Sequence, residues 1–144
     1  SGGEGDMLVG KSLWTHLHRK AHMICELSPY ACMPNTMSIG AMAGVTGKYP
    51  DLLYAPIEVK GDAEVHALSR CQMILTEAKK RAIAEYVEVM EKTGLTPDEA
   101  KPLLDASPAM TRATYRVPQT GVAAGMAANT LLHLAEQNGR RIAS

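Results

Sequence analysis

Phenylalanine is missing altogether, and one Trp with five Tyr makes up the whole aromatic complement. Stacking platforms of the kind that hold single-stranded bases are therefore largely absent. No charge of one sign prevails either, because fifteen Lys and Arg balance fifteen Asp and Glu. Without a broad positive field the chain is a poor candidate for phosphate-backbone binding, and no nucleic-acid partner is expected. No apolar run approaches the roughly 18–20 residues that span a bilayer, so no membrane partner is expected. Three cysteines, an odd number with no basic-plus-apolar leader ahead of them, do not suit a disulfide framework and point to a reducing cytoplasm. The opening Ser1-Gly2-Gly3, without Met, reads as a scar or as the start of a segment cut from a longer polypeptide.

What is present suits a folded chain. A hydrophobic fraction of 46% and a charged fraction of 21% are globular values, and 144 residues can enclose one core. Nine Met and many Ala must fill that core in place of Phe.

Hydrophobic periodicity divides the chain into helices and strands. Val9, Leu13 and Leu17 recur every four residues between Asp6 and Ala21, which predicts an amphipathic helix that Asp6 can cap. Residues 22–28, "HMICELS", form a short apolar run closed by Pro29 and read as a buried strand. A loop at 29–35 leads to Asn35 or Thr36 as N-cap of a small-residue helix, in which Gly40 and Gly44 would permit close backbone packing. "DLLYAPIEV" at 51–59 reads as a second strand, with Pro56 arguing against a central position along its whole length. Gly61-Asp62 turns the chain. Val65, Leu68, Cys71, Leu75, Ala78, Ala82 and Val89 then predict the buried face of a long helix ending near Gly94. "TPDE" at 96–99 carries the signature of a capping box, with Thr96 as N-cap and Glu99 completing it. Residues 107–118 read as an extended connector, and a last helix is expected at about 120–137.

This order predicts an α/β fold: an open three-layer, Rossmann-like domain with a short, mainly parallel sheet over residues 1–94, and a helical extension over 95–144 packed on it. Two strands are few for such a layer. Either residues 111–117 supply a third, or the sheet pairs with material from elsewhere.

Ligands of open α/β sheets bind beyond the carboxyl ends of the strands, where "SPYACMPNT" at 28–36 falls. Cys32 precedes a helix N-terminus, whose amides and dipole stabilise a thiolate, and Pro29 and Pro34 stiffen the loop. Cys32 is thus either a ligand or reactive thiol, or simply a small apolar residue, which most free cysteines are. Cys25, inside the strand, and Cys71, on the helix face, are expected in the core. Cysteine spacing matches neither C-x-x-C nor a zinc ribbon, so no complete metal site is expected. His18 and His22 stand four apart as metal-binding helical pairs do, but without a glutamate beside them, and a solvated helix end is the plainer reading. Gly121 and Gly125 suggest close packing rather than a phosphate cradle, because the Lys-Ser/Thr of a P-loop is missing. No catalytic triad, paired catalytic carboxylates or dinucleotide fingerprint stands out.

"GEGDMLVG" at 3–10, a helix, and then "ICELSPYACMPNT" at 24–36 resemble the closing region of the 2-hydroxyacyl-CoA dehydratase and benzoyl-CoA reductase family. The likeness is greatest to the dehydratase-like segment that ends the large activase-related proteins. It covers about residues 3–81, and Ser69-Arg70 stands where the family has an Asn/Ser-Arg pair. The resemblance implies an anaerobic iron-sulfur system passing low-potential electrons. By motif position it makes Cys32 the cofactor-binding and metal-ligating residue, with no catalytic residue in this chain. The cluster would be shared with other domains of the parent protein, a partner subunit or a second copy in a homodimer, and none is expected in the isolated domain. A docking module that keeps the fold without a cluster is the alternative. Tyr30-Ala31 replace the family's aromatic-glycine pair, and the ATPase motifs and upstream cysteines are missing.

Overall fold

The computed structural model describes residues 3–61 and 64–139. Ser1 and Gly2 of the opening tripeptide and Asp62 of the expected turn lie outside the described residues. The described residues form a mixed helix-strand fold of five helices and a two-stranded parallel sheet, and the chain divides into two compact units, Ser1–Lys80 and Arg81–Ser144.

In the first unit, helix α1 spans Glu4–Leu17, strand β1 Ile24–Pro29, helix α2 Met33–Lys48 and strand β2 Tyr54–Val59. Helix α3, Glu64–Thr93, begins in this unit, and the division falls inside it rather than at the helix end near Gly94. Gly3, not Asp6, is the N-cap of α1, which leaves Glu4 and Asp6 in the first turn, where the helix dipole favours acids. α1 packs against α2. The close approach is at Gly5, where a Cβ would stand 3.2 Å from the carbonyl oxygen of Pro34. At Gly40 and Gly44, where sequence suggested such packing, a Cβ would meet nothing within 4 Å.

The two strands run in register from Ile24 beside Tyr54 to Pro29 beside Val59. Ile24 N donates to Leu53 O and Tyr30 N to Val59 O, so even-numbered β1 residues pair inward and the odd-numbered β2 amides answer them. The nitrogen of Pro56 therefore faces the open edge of β2, and proline costs the ladder no bond. Alternation puts Glu26 and Ser28 on one face, where they are buried together with Asn35, Ser38 and Met42 of α2. Ala55 and Ile57, each 1% exposed, are covered on the opposite face.

The second unit is helical. Gly94, at φ 60, ends α3 by donating its N–H to Met90 O, a conformation cheap only for glycine. Helix α4, Pro97–Asp105, starts with the complete capping box, Thr96 and Glu99 each bonding the other's backbone N–H. Val89, Leu95 and Ala100 join Leu131, Leu132, Leu134 and Ala135 of helix α5, Met126–Gln137, in one core. That core draws in the C-terminal part of α3, which is why the unit begins at Arg81 rather than at 95.

Residues 111–117 form turns and coil rather than a third strand. α5 also starts six residues later than its periodicity suggests. Asn129, fully buried, accepts from Thr120 N and donates to Ala123 O and Gly125 O. Glu85 accepts from the N–H groups of Ala124 and Gly125. Residues 120–125 are thus held as a loop, and Gly121, at φ +76 with open space around it, turns that loop rather than packing.

The predicted apolar face of α3 is displaced. Val65, Leu68 and Leu75 are 76, 56 and 43% exposed, whereas the covered residues are the small Ala78 and the half-buried Ala67, Cys71 and Ile74. These recur three and four apart and define the side of the helix turned to the rest of its unit.

Candidate functional site at the carboxyl end of the strands

β1 delivers the chain to the cysteine loop through a tight turn in which Cys32 N donates to Pro29 O at 3.2 Å. Ala31 adopts φ 59, a left-handed conformation that costs an L-residue energy and a glycine almost none. Cys32 is itself the N-cap of α2, at φ −69 and ψ 114, three or four residues ahead of the cap expected at Asn35 or Thr36. Pro34 fits the first turn because it has no N–H to leave unpaired, and the Asn35 side chain is committed elsewhere. Cys32 O accepts from Thr36 N and Thr36 Oγ1, while the thiol forms no cap. Cys32 is half-buried and in no disulfide, and the exposed side chains of Tyr30, Met33 and Met37 stand around the loop.

Beside the loop, a recess of about 250 Å³ is lined by Tyr30, Ile57, Glu58, Lys60, His66, Ala67 and Arg70. Lys60 Nζ lies 4.0 Å over the Tyr30 ring. Three residues able to carry positive charge against one carboxylate make it a place for a small anion. The resemblance had marked Arg70, but Lys60 and His66 carried no local signal, since only the folding of α3 against the end of β2 brings them to Tyr30.

Sequence reading also missed Glu26, which is 6% exposed. Asn35 Nδ2 donates to its Oε1 at 3.0 Å, Ser38 Oγ donates to the same oxygen, and Tyr54 OH donates to Oε2 at 2.5 Å. Burial pushes the Glu26 pKa up, but donors from Ser38, Tyr54 and Asn35 outweigh it and hold the carboxyl below its ordinary value. Both oxygens are occupied, which makes this a scaffold joining β1, α2 and β2 rather than a free base. The signal available was a carboxylate inside an apolar strand, followed by Asn and Ser three apart on a helix.

The remaining cysteines correct the sequence reading. Cys25 is exposed rather than in the core, and Cys71 is only half-buried. Of the histidines at the end of α1, His18 stacks on Trp14 at 4.8 Å, and His16 faces Tyr49 and lies 3.5 Å from Asp51.

Cys32 is a donor of the type that iron-sulfur clusters use. Among the described residues, however, no group of three or more His, Cys, Asp or Glu could hold a metal ion. A single thiol is fewer than the three or four ligands that such a cluster takes. No helix among the described residues is long and apolar enough to cross a membrane. No protein-family model matches the sequence, and no curated protein or solved structure matches it.

Proposed function

We propose that this chain is the C-terminal module of an anaerobic, cytoplasmic iron-sulfur protein of the 2-hydroxyacyl-CoA dehydratase and activase type, and that it supplies Cys32 as one thiolate ligand. The observation that carries the reading is the position of Cys32: a half-buried thiol at the N-cap of α2, beyond the carboxyl end of β1, ringed by exposed Tyr30, Met33 and Met37. The other ligands come from further domains of the parent protein, a partner subunit or a second copy. Those surfaces also complete the three-layer arrangement around the two strands. When bound, the cluster supplies low-potential electron transfer, and this chain's part is to present the sulfur on a stiff turn and to cover one side of the group from water.

Replacing Cys32 with Ser in the parent protein tests this. Iron and sulfide content and the visible absorption should fall or change while the fold persists. Unchanged iron and absorption at native thermal stability would remove the ligand assignment.

The same apolar rim favours a second reading, in which the loop docks a partner without a cluster. Met33→Lys and Met37→Lys would then abolish partner binding while Cys32→Ser leaves it intact.

A further inference from the structure

The three cysteines divide into one and two. Cys25 lies on the face of β1 that also carries Leu27, and the register sets Cys25 beside Ala55 and Leu27 beside Ile57. Ala67 and Arg70 of α3 line a recess together with Ile57, which places the start of α3 over this face. Two strand residues cover about 6.7 Å, and four helical residues about 6 Å. Moving from the level of Ile57 back to that of Ala55 and Cys25 therefore moves along α3 from Ala67 to Cys71. The Cys25 thiol accordingly lies within hydrogen-bonding reach of the Cys71 sulfur. Both are free thiols, Cys25 exposed and Cys71 half-covered. With no third donor gathered among the described residues, the pair falls short of the three or four ligands a thiolate metal site needs.

We propose that Cys25 and Cys71 form a thiol–disulfide exchange site for small disulfides of the glutathione type, Cys25 making the first attack and Cys71 resolving it. In the first step the Cys25 thiolate attacks one sulfur of R–S–S–R. The Cys25–S–S–R bond forms, the external S–S bond breaks, and the departing thiolate takes up the proton that Cys25 released. In the second step the Cys71 thiolate attacks the Cys25 sulfur. The Cys25–Cys71 disulfide closes, and the second R–S⁻ leaves with the proton given up by Cys71. Two protein thiols lose two electrons in all, and one external disulfide is reduced to two thiols.

The surroundings of Cys25 disfavour its thiolate at rest. Partial burial of its sulfur comes first, then charge repulsion from a Cys71 thiolate and the hydrogen bond to Cys71, and together they push the Cys25 thiol pKa up. Closure ties β1 to α3 across a long loop and restricts the unfolded chain.

The test uses the 144-residue chain, reduced, freed of reductant and incubated with oxidised glutathione before alkylation and mass mapping. The expected product is a chain lighter by two hydrogens, with a Cys25–Cys71 cross-linked peptide, a raised Tm and Cys32 still open to alkylation. Cys71→Ser and Cys71→Ala should both stop with one glutathione on Cys25, and Cys32→Ser should close the bridge as the wild type does. The initial rate should rise about tenfold per pH unit in the neutral range, following the thiolate. Glutathione retained on Cys25 in the wild type with Cys71 free would overturn the proposal. So would a bridge to Cys32, or failure of both folded Cys71 variants to capture glutathione at Cys25.

Discussion

Tyr54 donates its hydroxyl to Glu26 from the neighbouring parallel strand, at 2.5 Å, on the face that α2 covers. Burial, then the hydrogen bond and charge of Glu26, push the Tyr54 pKa well above its ordinary value, while Glu26 is held below its own. The pair therefore rests as phenol and carboxylate. Hydrogen bonds to a charged group contribute more than neutral ones, so Tyr54→Phe and Ser38→Ala should each cost about 1.5–3 kcal/mol in urea unfolding. A loss below about 0.5 kcal/mol for both would show that the carboxylate is not a structural hub.

Stability should fall at both ends of the pH scale. With a lowered folded pKa, Glu26 contributes stability that is complete above the unfolded value of about 4.3 and lost as pH falls through the folded value. With a raised folded pKa, Tyr54 contributes stability that is complete below about 10 and lost as pH rises beyond it. Chemical unfolding across pH checks this, and Glu26→Gln should flatten the acid limb.

Ala31 at φ 59 holds a left-handed conformation that glycine adopts at the least cost. Ala31→Gly removes a strain of about 1–2 kcal/mol but gives the unfolded chain more freedom, worth about 0.4–1 kcal/mol. The expected net is a small gain, read as a Tm rise of a few degrees, where the same change inside a regular helix would lower it.

Leu75, expected in the core, is 43% exposed, whereas Leu132 is 2% exposed. Leu132→Ala should cost about 2–5 kcal/mol and Leu75→Ala no more than about 1 kcal/mol in the same urea assay. Equal losses would mean that something covers α3 at Leu75.

Features that depend on neighbours in sequence were legible from the residues alone. Thr96 and Glu99 form their capping box within one turn, Gly94 ends α3 by its own backbone freedom, and both strands with the crossover helix between them follow from local periodicity and proline placement. The position of Cys32 beyond β1 was legible for the same reason. Tertiary structure decided the rest. Alternation sends Cys25 and Glu26 to opposite faces, but which is covered depends on Asn35, Ser38 and Tyr54 meeting the carboxylate from two other elements. Hydropathy alone would have buried Cys25 and exposed Glu26. The start of α5 turns on Asn129 together with Glu85, some forty residues away on α3. The side of α3 that is covered is chosen by what lies opposite, so large apolar residues stay outside while Cys71 reaches Cys25. A backbone signal acts over one turn, whereas a buried polar group is stable only where distant residues bring it partners, and only the folded chain brings them.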